Sequence, residues 1–158
     1  MDRPAPFAVR VQAAPFDTAA EIAALSGDGD VGAVVTFCGL CRADRSTEGA
    51  PLSALILEHY PGMAEAEMDR LIDDARGRWP LTGARIVHRF GRIVPGEPIV
   101  LVVTASAHRA AAFSAAEFLM DWLKTKAPFW KKEERGAVGD WVAAKVEDDT
   151  AAARWTGR

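Results

Sequence analysis

Two lysines, Lys124 and Lys131, stand where lysine side chains can do chemistry, in the segment MDWLKTKAPFWKKE at residues 120–133. The first continues a partly apolar helical row at offsets of four, three and four, formed by Phe113, Glu117, Met120 and Lys124. A lysine held against apolar surface can act as a base or a nucleophile. The alternative is a lysine whose stem covers the core edge while its ammonium reaches water. The pattern fits both interpretations.

Pro128 lies between the two lysines and predicts the end of a helix, since the residue before a proline disfavours the α region. A turn there can fold Lys131 back towards Lys124. Two ammonium groups held close together favour the loss of a proton from one of them. The aromatic side chains of the segment are expected to form core and pocket wall: Trp122, Phe129 and Trp130.

A second candidate site lies at the other end of the same predicted helix. Ser106 is expected to cap the helix, which puts His108 and Arg109 in its first turn. Free N–H groups make that end positive, so two cations are unexpected there unless an anion lies between them. A bound phosphate is one interpretation, and two solvent-facing side chains with a small dipole penalty are the other.

Cys38 and Cys41 form a C-x-x-C pair, and Arg42 follows directly. A redox pair is expected near the start of a helix, and a zinc site needs a second cysteine pair or histidines at ligand spacing. The three histidines are isolated in the sequence: His59, His88 and His108. The sequence therefore predicts no metal site and no redox pair. Arg42 is the better candidate to meet an anion, unless it is an ordinary loop arginine in water.

The elements that must position these residues follow from periodicity and turn signals. Helices are predicted at 18–25, where Thr18 and Glu21 have capping-box spacing, and at 63–79 and 107–126. Strands are predicted at 32–37, 54–60, 84–90, 98–105 and 141–146, with a polar loop at 43–51, a turn in GRIVPGEP and a short helical tail to Trp155. Strand pairs and helices without strict βαβ alternation predict an α+β fold, with residues 1–158 forming one domain.

Composition and charge narrow the class of protein. The chain has 158 residues, of which 49% are hydrophobic and 26% charged, and its formal net charge is −3. A nucleic-acid binder normally carries a basic surplus, so the charge argues against one. The longest aliphatic run, 99–103, is too short to span a bilayer, and the first residues have no signal-peptide core. With only two cysteines, the sequence predicts a soluble protein of the reducing cytoplasm, without membrane contact.

Five motifs in order carry a family resemblance: GAVVTFCGLCR, LEHYPGM, HRFGRIVPGE, SAHRAAAF and MDWLKTKAPFWKKE. Together they closely resemble the large, catalytic subunit of molybdopterin synthase over about residues 32–133. A weaker similarity continues in GDWV and the terminal RW. Several long motifs in the correct order are far more specific than any short pattern.

The resemblance implies an activity and partners. The family's enzyme converts cyclic pyranopterin monophosphate to molybdopterin by installing two sulfurs as a dithiolene. The sulfur arrives on the C-terminal Gly-Gly thiocarboxylate of a small ubiquitin-like partner, so no cofactor is implied. A central homodimer of large subunits with one small subunit at each end makes a heterotetramer. The implied fold is α+β, hammerhead-like, with a mostly antiparallel sheet.

The resemblance also assigns site residues by motif. Lys124 and Lys131 match the two essential lysines. The residues that match substrate- and tail-contacting positions are Leu40, Cys41, Arg42, His108, Arg109, Lys132 and Glu133. The C-x-x-C pair is not part of the family pattern, and Lys126 receives no catalytic role. Which lysine is the base stays open. A non-catalytic adaptor that docks a Gly-Gly tail is the alternative, and it would not need the phosphate-binding set.

Helix geometry adds a constraint to these assignments. Fifteen positions separate Arg109 from Lys124, which is about 22 Å on a continuous helix. One small pterin monophosphate cannot touch both ends. If both sets serve one active site, the phosphate pair must come from the other copy of the chain, so we expect a site composite across the homodimer.

Overall fold

The computed structural model describes residues 5–45, 49–135, 138–142 and 151–156. Within these ranges it contains three helices, α1 (Thr18–Ser26), α2 (Met63–Arg78) and α3 (Arg109–Lys126), and a further helical turn at 151–153. Strands β1 to β8 span Phe7–Gln12, Ala33–Leu40, Ala54–His59, Leu81–Arg89, Gly91–Ile93, Pro98–Ser106, Phe129–Arg135 and Val138–Val142.

The strands form two four-stranded sheets, with orders β1-β4-β6-β2 and β5-β3-β7-β8. Only the pairing of β1 with β4 is parallel among the described strands, and the other pairings are antiparallel. The first sheet carries the helices and the second is built around β3 and β7. The predicted α+β fold with mostly antiparallel pairing is confirmed.

Helices cover both faces of the first sheet. Because neighbouring side chains on a strand point to opposite sides, alternate residues of one strand pack against different helices. One core cluster joins Ala84, Ile86, Val100 and Val102 of the sheet to α2 and α3, through Met68, Leu71, Ile72, Ala116, Phe118, Leu119 and Leu123. A second cluster joins Val87, Leu101, Val103 and Ala105 to Leu25 of α1. Every second residue of β4 from Ala84 onwards therefore faces the side of the sheet that α3 covers.

Helix α3 is fixed along its length against this sheet. Its buried residues recur at helical spacing, and the Thr104 hydroxyl of β6 donates to the Ala112 carbonyl at 2.7 Å. Near the other end, the Trp155 indole donates to Asp121 at 2.6 Å and packs edge-on against Phe118, with ring centroids 5.6 Å apart. The helix is therefore held both near its start, by β6, and near its end, by Trp155.

Two predicted helix caps were wrong. Asp17, not Thr18, caps α1 by accepting a hydrogen bond from the Ala20 N–H at 3.0 Å. Ser106 belongs to β6, and its hydroxyl donates to the Pro80 carbonyl at 2.8 Å. At α1 a neighbouring side chain makes the capping hydrogen bond, and at α3 the predicted cap residue makes a tertiary hydrogen bond instead. Helix α3 consequently begins at Arg109, with His108 at the N-cap position.

Three strands were missed. Strand β1 lies in the N-terminal segment, where no strand was predicted, and pairs with β4. The short β5 lies inside the predicted turn GRIVPGEP and pairs with β3. Strand β7 takes the place of the predicted proline turn and pairs with β3 on one side and β8 on the other. The predicted strand 141–146 is matched by β8 only at its start, and 143–150 lies outside the described residues. The described parts of the predicted loop 43–51 contain neither helix nor strand.

No helix in the described ranges is long and apolar enough to cross a membrane.

Candidate active site

The two predicted catalytic lysines lie on either side of a two-residue link. Lys124 is exposed in the last turn of α3, which ends at Lys126. Ala127 and Pro128 form the link, and β7 starts directly afterwards, with Lys131 partly buried as its third residue. The proline ends the helix as predicted, but a strand rather than a turn then carries Lys131.

Strand β7 turns Lys131 and Glu133 to one side of its sheet and Lys132 to the other, because side chains alternate along a strand. The charges of Lys131 and Glu133 both act on the thiol of Cys41, which directly follows β2. The face of β7 that carries Lys131 and Glu133 is therefore turned towards the end of β2. The structure brings Lys131 and Glu133 to this corner and separates Lys132 from them.

At that corner Cys41 is buried while its two neighbours are presented outwards. The Cys41 side chain is 3% exposed, its backbone N–H donates to the Glu97 carbonyl at 2.9 Å, and its carbonyl accepts from the Gly96 N–H at 2.8 Å. Leu40 is 54% exposed and Arg42 is also exposed. Two backbone hydrogen bonds thus fix the predicted binding loop at Cys41, and the side chains of Leu40 and Arg42 are accessible to a ligand.

The two cysteine side chains lie in different environments. Cys38 is exposed on β2, Cys41 is buried, and both are free thiols. Burial raises the pKa of the Cys41 thiol, and the Glu97 carboxylate raises it further. The described residues contain no group of three or more His, Cys, Asp or Glu side chains arranged for a metal ion. A buried, protonated Cys41 acts as part of the core beneath the site.

His88 belongs to the same neighbourhood and was not found from the sequence. Its ring stacks on Phe129, with centroids 3.8 Å apart and an interplanar angle of 14°. Burial lowers the pKa of His88 to about 4, and the Lys124 and His59 charges lower it in the same direction. A signal was present: in the predicted strand 84–90, His88 continues the alternation of Ala84 and Ile86 towards α3. Nothing in the sequence indicated its ring partner.

His108 and Arg109 lie at the opposite end of α3 from Lys124, and both are exposed. The first turn contains no acidic residue, and no side chain caps the helix N-terminus. The donors that an anion would need are therefore present. Because α3 is one continuous helix, Arg109 and Lys124 of the same chain are about 22 Å apart along its axis. The structure does not bring the phosphate pair and the lysines together within one chain.

The aromatic residues around the lysines divide into wall and surface. Phe129 supports His88, and Trp122 is partly buried with the Lys126 ammonium 5.5 Å above its ring. Trp130 is 50% exposed, so the expectation that all three aromatics form core and wall was wrong for it. Alternation along β7 places Trp130 on the face opposite to Lys131.

Solved structures with this fold define its class. The chain is similar to a molybdopterin biosynthesis MoaE protein from Burkholderia ambifaria, with 44% identity and a TM-score of 0.79 over 94% of this chain and 97% of that one. It is also similar to molybdopterin synthase from Staphylococcus aureus, with 31% identity and a TM-score of 0.79 over 84% of this chain and 95% of that one. The class is that of α+β proteins of molybdopterin biosynthesis.

Sequence comparison then gives the family. The family described as MoaE protein matches residues 11–126. A relative in Mesorhizobium japonicum, named molybdopterin synthase catalytic subunit, is 63% identical over 93% of this chain and 92% of its own length. One of the same name in Rhizobium meliloti is 59% identical over 98% of this chain and 99% of its own. The chain belongs to the MoaE protein family, and the resemblance drawn from the five motifs is confirmed.

Proposed function

We propose that this chain catalyses the transfer of sulfur from a partner's C-terminal thiocarboxylate to cyclic pyranopterin monophosphate, forming the dithiolene of molybdopterin. Its relatives are catalytic subunits of molybdopterin synthase, a sulfur-transferring enzyme of molybdenum cofactor biosynthesis. The observation that carries the proposal is that the charges of Lys131 and Glu133 act on the thiol of Cys41, beside the outward-facing Arg42, while a two-residue link joins their strand to the helix end that carries Lys124. The cytoplasm is the proposed setting, because the two cysteines are free thiols, as in a reducing compartment.

Each group in the proposed site has a task. Arg42 with His108 and Arg109 anchors the substrate phosphate through charge-assisted hydrogen bonds, which places the pterin side chain beside the thiocarboxylate. Lys124 and Lys131 move protons and stabilise oxyanions while the acyl–sulfur bonds break. Leu40 and Glu133 line the approach of the partner's tail, and Lys132 meets the partner from the opposite face of β7, which also carries the exposed Trp130. Cys41 supports this surface from below, and the transferred sulfur comes from the partner.

In this proposal a homodimer brings the phosphate-binding pair of one chain to the lysines of the other. Strand β2 is an edge of the first sheet, and its outward residues include the apolar Phe37 (42% exposed) and Leu40 (54% exposed). An edge strand with exposed apolar side chains invites pairing with another chain. A second copy on this edge is our proposed occupant, since the separation of Arg109 from Lys124 requires a phosphate pair from outside the chain.

The sulfur donor is proposed to be a small ubiquitin-like subunit ending in Gly-Gly. The relatives' name, catalytic subunit, supports the existence of a further subunit. Exposed apolar side chains at the β3–β7 end of the second sheet offer it a contact surface: Tyr60, Met63 and Trp130. A glycine tail is thin enough to reach lysines lying behind such a surface.

The decisive experiment is reconstitution of the reaction. The full chain is incubated with thiocarboxylated partner and the pterin precursor, and the dithiolene product is measured. Product formation is expected only with the thiocarboxylated form, and a carboxylate-ended partner is the matched control. A chain that binds the partner tightly but forms no product would be the non-catalytic adaptor. The exposed set of Arg42, His108 and Arg109 favours the enzyme, because an adaptor has no use for a phosphate anchor.

A further inference from the structure

Arg89, the last residue of β4, places a buried cation beside the turn that joins β5 to β6. The residue is 5% exposed, and its Nη1 donates to the Glu97 carboxylate at 3.0 Å and to the Pro98 carbonyl at 2.9 Å. Its Nε donates to the Ala13 carbonyl at 3.0 Å. A buried guanidinium needs a counter-charge and accepting oxygens, and the turn supplies both. Arg89 therefore holds the turn at Glu97 and Pro98.

The same turn is bonded to Cys41 through its backbone. The Glu97 carbonyl accepts from the Cys41 N–H at 2.9 Å, and the Gly96 N–H donates to the Cys41 carbonyl at 2.8 Å. The turn is closed by the Glu97 N–H, which donates to the Val94 carbonyl at 3.0 Å, and by Gly96, whose φ of +93° favours glycine. Glu97 thus bonds to Arg89 through its side chain and to Cys41 through its backbone.

Arg42 lies between two residues whose backbones are fixed. On one side Cys41 is bonded to the turn, and on the other side the Ala43 carbonyl accepts from the Leu52 N–H at 2.8 Å. Arg42 itself is exposed. Because both of its neighbours are held, the backbone position from which the Arg42 guanidinium reaches outwards depends on the turn.

We propose that Arg89 and Glu97 are positioning residues for the substrate phosphate: their ion pair holds the turn between β5 and β6, and the turn fixes Cys41 and so directs Arg42 towards the anion. The role of Arg42 as a phosphate anchor rests on the proposed function, whereas the connection from Arg89 to Cys41 is a property of the folded chain. Neither positioning residue touches the substrate. Binding of the pterin monophosphate therefore depends on them, and the chemistry at the two lysines does not.

The connection is tested without an enzyme assay, by amide hydrogen exchange in the full chain. Glu97 is the residue to change, because its side chain is 39% exposed and its removal leaves the buried Arg89 in place. In Glu97→Ala the amides of Gly96 and Cys41 should exchange about tenfold faster or more, because the turn opens locally. The amides of the buried strand residues 101–103 should keep their wild-type rates. Glu97→Gln retains an oxygen that can accept from Arg89 and should give intermediate rates.

Two outcomes of the exchange experiment would overturn the proposal. One is an unchanged rate at Cys41 in Glu97→Ala. The other is equal acceleration at Cys41 and at residues 101–103, which would mean that Glu97 only stabilises the whole fold. Glu67→Ala is the matched control, because Glu67 is likewise a carboxylate bonded to an arginine, Arg70, but lies on α2. It should leave the exchange of Cys41 at the wild-type rate.

Steady-state kinetics test the consequence for the substrate. We expect Glu97→Ala to raise KM for the pterin about three- to tenfold with kcat nearly unchanged, because only the anchoring of the phosphate is weakened. Glu97→Gln should recover part of that loss, and Glu67→Ala should keep the wild-type KM. A lower kcat at unchanged KM in Glu97→Ala would contradict the positioning role. A wild-type chain without turnover would instead refute the proposed function, while the exchange result would still decide whether the turn holds Cys41.

Discussion

Lys124 is exposed at the end of α3, so its side chain can be removed without opening the core. That separates a chemical role from a structural one more cleanly than at any buried position. His88 is the opposite case, since its ring is stacked on Phe129 and cannot be removed without disturbing that packing. At the scale of single residues, the lysines are where chemistry can be tested directly.

We expect Lys124→Ala to lower turnover roughly a hundredfold or more, because proton transfer or oxyanion stabilisation is lost. Unfolding temperature and affinity for the partner should stay close to wild type, because surface substitutions cost little stability. Turnover with thiocarboxylated partner, thermal unfolding and partner binding are the three measurements. Lys126→Ala is the control. Normal turnover in Lys124→Ala would show that this lysine is not part of the catalytic machinery.

The sequence predicted Lys124 because a lysine in an apolar helical row is visible in the periodicity of one helix. The place of His88 could not be predicted, since its stacking on Phe129 joins β4 to the start of β7. The anion-binding role of His108 and Arg109 stays a prediction, because no structural finding bears on their ligand. Local patterns thus predict which face of a helix or strand a residue lies on, but its contacts with other elements depend on long-range packing.

At the scale of elements, three charged side chains join α1, β1 and β4. Glu21 of α1 is 5% exposed and accepts hydrogen bonds from Arg85, which is 8% exposed, and from the more exposed Arg10. Burial alone would raise the Glu21 pKa, but the hydrogen bonds and charges of the two arginines outweigh it and the pKa is lowered. Glu21 therefore ties the first helix to the sheet as a carboxylate.

Replacing Glu21 by glutamine should destabilise the chain by about 3 kcal/mol, because a buried arginine loses its counter-charge. Since the folded-state pKa is lowered from 4.5, this contribution is complete above that value and is lost as the pH falls through the folded-state pKa. Urea unfolding at pH 7 and at successively lower pH measures both effects. Glu117→Gln, in an exposed pair with Arg154, is the control and should cost less than about 1 kcal/mol. Equal costs in the two variants would contradict this account.

Arg135, near the end of β7, holds the two sides of the loop that follows Arg42. It donates to the Asp44 carboxylate at 2.7 Å and to the Ala50 carbonyl at 3.1 Å. We expect Arg135→Ala to raise KM for the pterin roughly three- to tenfold with a smaller effect on kcat, because the loop carrying Arg42 loses a support. Steady-state kinetics test this.

The control for Arg135 is Arg92→Ala, since Arg92 of β5 is also paired with a β7 carboxylate, that of Glu134, but has no hydrogen bond or ion pair with the described residues of the loop. Its KM should stay near the wild-type value. A change in kcat alone in Arg135→Ala would argue that the residue acts on the lysines rather than on the loop.

Element prediction succeeded where the pattern was simple and failed where charge concealed a strand. Helices α2 and α3 have apolar rows at helical spacing, and the β-branched runs of β2 and β6 are strands as expected. Strand β7 reads FWKKEER, and its five consecutive charged residues leave neither face clearly apolar, so only its pairing with β3 makes it a strand. That pairing joins positions 70 to 80 residues apart, which no local rule can detect.

At the scale of the whole molecule, the composite site makes a prediction that no single-chain site shares. Lys124→Ala and Arg109→Ala chains are each expected to be inactive. Mixed and reassociated in equal amounts, they form heterodimers in which one site has both native residues. About a quarter of wild-type activity should return, since half of the dimers are mixed and each has one intact site of two.

This test has a negative control and an outcome that would contradict the prediction. A mixture of Lys124→Ala with Lys131→Ala should stay inactive, because both residues are proposed to serve the same chain's site. No recovery in the Lys124→Ala and Arg109→Ala mixture, with dimer exchange verified by mass, would show that the phosphate pair and the lysine do not meet across the dimer. Activity is measured as dithiolene formed per total chain.

The two-residue link of Ala127 and Pro128 sets the parity of β7. Strand side chains have a period of two, so one residue inserted after Pro128 would bring Trp130 and Lys132 to the face that Lys131 and Glu133 now occupy. Two inserted residues would restore the original face at the cost of a longer link. Whether the link has an even or an odd number of residues therefore decides which face of β7 carries Lys131, and its length decides only how far that lysine lies from Lys124.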